Sequence, residues 1–272
     1  MTEIFDNIRG IYDFSPPREE LQPFIEFFSE SSNERTAAVA AKRDFTVEMF
    51  PSWTPTFWIN LGAPYTLTTG HGSYRIPPDS DILVLRDSTM TRHNSPADHL
   101  FSVKFIPGGL EAVLGIPQTK FIGAVVRLNQ VLPATLIAQI KAAAGFGQRK
   151  SLIENFLIKG LSHRPKKDHY HLLVRDSIGS YENAAMRPNT TELASRHFVH
   201  SRTINRYFHH VIGLSPKKYL SIVRARVALA GFLANRQQFS PEAFGYYDKS
   251  HFYKAVHQFT GRRLGSSGVA RH

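Results

Sequence analysis

The hydrophobic pattern changes period partway along the chain, so its two parts cannot belong to one sheet or one helical bundle. Up to about residue 130 the apolar residues come in short continuous or alternating runs. Examples are Thr56-Phe57-Trp58-Ile59-Asn60-Leu61, Asp81-Ile82-Leu83-Val84-Leu85 and Leu100-Phe101-Ser102-Val103-Lys104-Phe105-Ile106. Gly62-Ala63-Pro64, Gly70-His71-Gly72, Pro77-Pro78 and Pro107-Gly108-Gly109 separate them. Glycine and proline supply turn dihedrals and interrupt ladders, so these runs are expected to be short strands of a small barrel or sandwich. Over residues 133–160 the spacing turns helical, through Leu136, Ile137, Ile140 and Ala144, then Leu152, Ile153, Phe156 and Leu157, with Gly145 and Gly147 between them. A hairpin of two packed helices is expected there. Ser162-His163-Arg164-Pro165-Lys166-Lys167 is polar, charged and broken by proline, and reads as a linker. The expectation is an α+β chain: a β-rich domain with a helical hairpin over residues 1–162, and an all-α domain over 163–272.

Charge is divided in the same place. Residues 1–162 carry 15 Lys and Arg against 16 Asp and Glu, whereas residues 163–272 carry 18 against 6 and ten of the 13 His. The whole excess of the +11 net charge therefore lies in the helical part. A field so concentrated attracts polyanions and releases counterions from a phosphate backbone. Charge alone leaves DNA, RNA, anionic lipid and an inert basic surface open.

Other classes are narrowed by what the chain lacks. No apolar run reaches the ~18 residues of a membrane span, and Met1-Thr2-Glu3-Ile4-Phe5-Asp6 has neither the basic nor the apolar region of a secretory signal, so a cytoplasmic protein is expected. Cysteine is absent, which excludes disulfides, thiolate metal sites and a cysteine nucleophile. No nucleophile–base pair, paired carboxylates or phosphate-binding glycine loop is legible, and neither enzyme activity nor a cofactor is expected.

Within the basic part, Thr190-Thr191-Glu192-Leu193-Ala194-Ser195-Arg196-His197-Phe198 reads as a short helix with a Thr cap and with Leu193, Ala194 and Phe198 on one face. After Val199-His200 a second helix is expected to start at the N-cap Ser201. It places Ile204, Tyr207, Phe208 and Val211 on one stripe before Gly213 stops it. Two short helices joined by a tight turn form a helix-turn-helix unit over residues 190–212, whose second helix enters the major groove. Its outer face carries Arg202, Thr203, Asn205, Arg206 and His209. Arg pairs with guanine O6/N7 and Asn with adenine N6/N7, so these residue types suit base readout; a solvated helix face has the same spacing. Ser215-Pro216 then caps a long helix over 216–235, lined by Tyr219, Leu220, Val223, Val227, Ala230 and Leu233. A second unit follows over 241–260. Ser240-Pro241 starts a supporting helix of one turn, and Asp248 caps a helix that buries Phe252, Val256 and Phe259 and turns outward Lys249, Ser250, His251, Tyr253, Lys254 and His257. Because one turn buries little apolar surface, the second unit is expected to be held more loosely and to anchor rather than read.

At these residues the sequence resembles the AraC/XylS family of transcription regulators, in three blocks. Glu192-Leu193-Ala194 with Ser201, Ile204, Arg206 and Phe208 looks like the first helix-turn-helix. Gly213-Leu214-Ser215-Pro216-Lys217-Lys218-Tyr219-Leu220 with Arg224 and Ala228 looks like the linker helix. Gly245-Tyr246-Tyr247-Asp248-Lys249-Ser250-His251-Phe252, closing on Thr260-Gly261, looks like the second unit. The resemblance implies double-stranded DNA as partner, two recognition helices in successive major grooves, and contact with RNA polymerase in activation. It also implies an N-terminal domain, often a cupin-like barrel, for effector sensing or homodimer formation. By similarity, the base-facing positions are Arg202, Asn205 and Arg206, then Lys249, Ser250, Tyr253 and Lys254. Ser240-Pro241 and the tail Arg262-Arg263-Leu264-Gly265-Ser266-Ser267 depart from the family pattern.

For the N-terminal part, Trp53, Phe57, Trp58, Tyr65 and the segment Phe105-Ile106-Pro107-Gly108-Gly109-Leu110 resemble the barrel domain of one such subgroup, and the aromatics are either pocket lining or ordinary core. His71, His93 and His99 lack the spacing of a metal site, and no metal is expected. The alternatives to a sequence-specific regulator are a nonspecific architectural protein and a cupin-type enzyme with a basic appendage.

Overall fold

The computed structural model describes residues 10–39, 43–163 and 169–261, with Leu264; Arg164–Lys167 of the expected linker and the tail residues Arg262, Arg263 and 265–267 lie outside them. Two compact units result, the first from the described residues up to His163 except Phe50–Ser52, the second from Phe50–Ser52 with the described residues after His163.

The first unit is a two-sheet sandwich. Its strands are β1 (Tyr12–Ser15), β2 (Ile25–Ser31), β3 (Phe45–Met49), β4 (Pro55–Asn60), β5 (Tyr65–Thr69), β6 (Gly72–Ile76), β7 (Ile82–Leu85), β8 (Met90–Asn94), β9 (Leu100–Phe105) and β10 (Val125–Arg127). One sheet runs β1-β2-β9-β4-β7-β10 and the other β3-β8-β5-β6, antiparallel throughout. Trp58, Ile82, Val84 and Leu100 of the first sheet meet Val47, Met49, Tyr65, Leu67, Ile76 and Met90 of the second. The other face of the six-stranded sheet is buried too, with Phe28, Phe57, Ile59, Phe101 and Phe105 each excluded from solvent. Burial on both faces removes the polar partner from the alternation, which is why β4, β7 and β9 read as continuous apolar runs.

Among its described residues this unit has the α-helices α1 (Asn33–Val39), α2 (Gly109–Leu114), α3 (Ala134–Ala142) and α4 (Phe146–Ser162). α3 and α4 form a packed hairpin. Leu136, Ile137, Ile140, Ile153 and Leu157 are buried, but Ala144 is exposed and Ala143 buried in its place, because α3 ends at Ala142 and the chain turns extended. Phe146 packs on Phe101 with ring centroids 6.1 Å apart. Two ion pairs fasten α4 to the rest of the unit: Arg149 reaches Glu30 at 2.8 Å in a buried pair, and the buried Glu154 reaches the exposed Arg18 at 3.1 Å.

Trp53, Phe57, Trp58 and Tyr65 are all core residues. Trp58 also borders a cavity between the sheets, whose walls include Thr56, Ser102, Arg86, Arg92 and Lys104. Arg92 is 1% exposed and pairs both guanidinium nitrogens with Asp98 at 3.1 Å. Burial is the largest influence on Arg92 and opposes its charge, but the Asp98 carboxylate together with Tyr12 and Tyr65 outweighs it and the pKa is raised. Lys104, equally buried, pairs with Glu26 at 3.2 Å. His71, His93 and His99 meet separate partners, Asp87, Thr46 and Glu30. No described helix is long and apolar enough to cross a membrane.

The second unit is all helical: α5 (His169–Asn183), α6 (Thr190–Arg196), α7 (Ser201–Val211), α8 (Pro216–Ala234), a 3-10 turn Pro241–Phe244, and α9 (Lys249–Thr260). α5 packs on α7, α6 on α7, and both α7 and α9 on α8.

Candidate nucleic-acid interface

α6 is capped by Asn189 rather than by a Thr. The Asn189 side chain accepts hydrogen bonds from the backbone of Thr191 and Glu192 at 2.9 and 3.0 Å, and the Glu192 carboxylate accepts from the Asn189 N–H at 3.1 Å, a reciprocal capping box. Leu193 and Ala194 are buried as expected, but Phe198 is 96% exposed. The helix stops at Arg196, so the i+4 relation that would align Phe198 with Ala194 no longer applies. Phe198 instead has φ +55° and closes the helix, its N–H donating to Ser195 O and that of Val199 to Ala194 O. This is a Schellman ending with phenylalanine where glycine is usual, at a cost of about 1–2 kcal/mol for the left-handed backbone.

α7 follows with His200 as N-cap and Ser201 as its first helical residue. Ile204, Phe208 and Val211 are buried, and Tyr207 is half-buried, its hydroxyl 2.6 Å from His169 Nε2 on α5. Turned away from that core, Arg202, Arg206 and His209 are exposed, one turn apart in succession. Thr203 and Asn205 are half-buried, and the Asn205 amide donates to Ser201 O at 2.9 Å, so part of its hydrogen-bonding capacity is spent on its own helix. The Arg206 guanidinium lies 5.2 Å from the Tyr207 ring centroid.

Gly213, at φ +94°, ends α7, and the Ser215 hydroxyl then accepts from Lys218 N–H to cap α8, with Pro216 at its first position. At 1.5 Å per residue the helix is about 28 Å long. Its buried face runs through Tyr219, Leu220, Val223, Ala228, Leu229 and Phe232. Val227 is exposed, and Ala230 and Leu233 only half-buried, so the expected stripe is displaced by one residue beyond Val223. Phe232 explains the displacement, since it turns into the aromatic core of the second unit.

That core adds support for α9 that the expectation of a loosely held second unit did not take into account. The supporting segment is indeed a single 3-10 turn, Pro241–Phe244, but α9 rests on aromatic rings instead. Phe252 has ring centroids of Phe239 at 4.6 Å, Phe232 at 5.5 Å and Tyr246 at 5.6 Å, and Phe239 stacks on Phe244. Gly231 makes room, because a Cβ there would lie 2.5 Å from Phe244. Arg224 of α8 stacks on Tyr246 at 4.7 Å and donates to Gly245 O at 3.1 Å, which fastens the turn before α9 to the middle of the long helix. Burial raises the Tyr246 pKa, with Arg224 opposing.

Asp248 caps α9 by accepting from His251 N–H at 2.7 Å. Phe252, Val256 and Phe259 are buried, and Gly261 at φ +73° ends the helix. Lys249, Ser250, Lys254 and His257 are exposed. Tyr253 is 39% exposed and edges the aromatic core, and His251 turns back toward Tyr246, 5.1 Å between rings. The sequence-predicted residues thus fall into two sets on separate helices, each opposite its own buried stripe. The sequence reading missed Phe198 and Tyr247, which are 96% and 86% exposed in the turns ahead of α7 and α9. A helix stop between Ala194 and Ser201 was the available signal. Among the described residues no group of three or more His, Cys, Asp or Glu is placed to hold a metal.

No family model matches the chain, and no curated protein matches it. Among solved structures, ToxT from Vibrio cholerae is similar over 81% of this chain and 95% of its own, at 11% identity and a TM-score of 0.47. ToxT from Vibrio cholerae strain SCE256 with bound unsaturated fatty acid is similar over 82% and 90%, at 13% identity and 0.45. The AraC-like transcriptional activator CuxR is similar over 84% and 92%, at 10% identity and 0.36.

Proposed function

We propose that this chain is a sequence-specific, double-stranded DNA-binding regulator of transcription, with α7 and α9 entering successive major grooves. The observation that carries the proposal is the exposed face of Arg202, Arg206 and His209 on α7, backed by the buried Ile204, Phe208 and Val211. Guanidinium groups on a helix locked from behind suit both guanine edges and phosphates. A spacer helix of about 28 Å is commensurate with the ~34 Å between major-groove openings on one side of B-DNA. The first unit then serves effector sensing, homodimer formation or both, and RNA polymerase is the further partner.

Selection of duplexes by the full chain from a randomised library tests this reading. A recovered consensus is expected, with affinity falling steeply between 50 and 200 mM salt, on the order of 10³-fold for six phosphate contacts. Recovery of no consensus would mark a nonspecific architectural protein. On the selected duplex, Arg206→Ala is expected to cost about 1–3 kcal/mol and to relax preference at one base pair, whereas Lys254→Ala weakens every duplex alike and lowers the salt slope by about one. Equal loss from Arg206→Ala on selected and random duplexes would reduce it to a phosphate contact.

A further inference from the structure

We infer that Phe198 is a DNA-contact residue whose ring covers an apolar part of the duplex, a deoxyribose or a thymine methyl, beside the groove that α7 enters. The inference rests on the DNA-binding reading and adds an apolar contact to its polar ones. It starts from a comparison within the chain. α6 ends with Phe198 N–H donating to Ser195 O at 3.1 Å and Val199 N–H to Ala194 O at 3.0 Å. The 3-10 turn of the second unit ends with the same pair of bonds, from Gly245 N–H to Glu242 O and from Tyr246 N–H to Pro241 O. The residue in the left-handed conformation is Gly245 in one case, at φ +72°, and Phe198 in the other, at φ +55°. Glycine is the residue that such a helix ending favours, because a Cβ strains it. Phenylalanine there is strained, and its 96% exposure returns almost no burial. Neither cost is offset by a contact among the described residues, and strain kept at an exposed position of this kind points to a functional contact.

Placement and charge indicate what that is. Phe198 lies three residues ahead of the first residue of α7, among the exposed Arg196, His200 and Arg202. The N-terminal end of a recognition helix lies nearest the bases, so the turn before it lies against the groove wall. A DNA strand presents phosphates to the cations there and, between them, sugar carbons and thymine methyls to an apolar ring. The second unit also carries an exposed ring in its turn, that of Tyr247, two residues ahead of α9.

The test uses the full chain, the duplex recovered from the randomised library, and the same duplex with deoxyuridine replacing thymidine. Phe198→Gly relieves the strain, so its melting temperature should equal or exceed that of the parent chain while affinity for the selected duplex falls roughly tenfold or more. Phe198→Tyr keeps the ring and should bind nearly as the parent does. If the ring meets a thymine methyl, the deoxyuridine duplex weakens the parent chain and leaves Phe198→Gly unchanged; if it meets a sugar, the deoxyuridine duplex binds both as before and the loss from Phe198→Gly persists. Unchanged affinity of Phe198→Gly overturns the inference and leaves the DNA-binding reading standing, also where transcription activation is lost, since that would assign the ring to a protein partner. A lowered melting temperature overturns it as well, by showing the ring to be packed within the chain. Failure of the parent chain to bind any duplex in a salt-sensitive way removes the reading itself, before any variant is examined.

Discussion

Phe252→Ala is expected to lower the stability of the second unit by about 3–5 kcal/mol, the range for removing a buried phenylalanine from a packed core. The ring is fully excluded from solvent and lies within 4.6–5.6 Å, centroid to centroid, of Phe232, Phe239, Tyr246 and Tyr253. Those neighbours come from α8, from the segment after it, from the turn before α9 and from α9 itself, so they cannot all close on the vacancy at once. Aromatic rings are also poor at collapsing, having few rotamers to offer. A domain stability of ~5–15 kcal/mol makes this a large share of the whole. Urea unfolding of the full chain measures it, and Phe252→Leu, which refills part of the volume, should recover part of the loss. A change below about 1 kcal/mol would mean that α9 is not held by this core. Because Phe252 lies at the centre of the packing between α9 and α8, the same substitution should reduce base preference in the half-site assigned to α9 and spare that of α7.

Asp98→Asn is expected to destabilise the first unit by about 3–5 kcal/mol, since it leaves a buried cation without its counter-charge. The Arg92 guanidinium is held in a fork by both Asp98 oxygens at 3.1 Å, between the Trp58 and Tyr65 rings, whose centroids are 5.9 and 5.2 Å away. Asparagine has nearly the same shape but returns one acceptor and no charge. The penalty comes from stranding Arg92 rather than from losing a favourable pair, which gives the control. Replacing both residues by apolar ones of similar volume should be far less costly than Asp98→Asn alone. Urea unfolding with tryptophan fluorescence reports on this unit, because Trp53 and Trp58, the chain's two tryptophans, both lie in its sequence. An effect no larger than that of an exposed pair, under about 1 kcal/mol, would show that water reaches Arg92.

Much of the candidate interface was legible in the sequence because it depends on local chemistry. Ser215-Pro216, Asp248 and Gly261 start or stop helices through hydrogen bonds and dihedrals a few residues wide, and the structure has each in that role. Ile204, Phe208 and Val211 lie on one face of any helix that contains them, so the outward position of Arg202, Arg206 and His209 followed from their spacing. The helix ends were less legible. Asn189 and the Thr residues after it are all good caps, and only the reciprocal bond from Glu192 decides between them. Phe198 was misplaced because a periodic pattern carries no mark of where the helix stops.

What the sequence by itself determined is the change from strand to helix period, the concentration of positive charge after residue 162, and the faces of α7 and α9, since each is a property of composition or of a few consecutive dihedrals. The tertiary structure alone decided which apolar residues of α8 are buried, for that helix packs on both α7 and α9 and Phe232 had to turn toward α9. It also decided that Arg92 and Lys104 lie inside a sandwich, where residues of their type are normally at the surface. Glu26 reaches Lys104 only once β2 and β9 have paired, and although Asp98 lies six residues from Arg92, no local pattern marks that pair for burial.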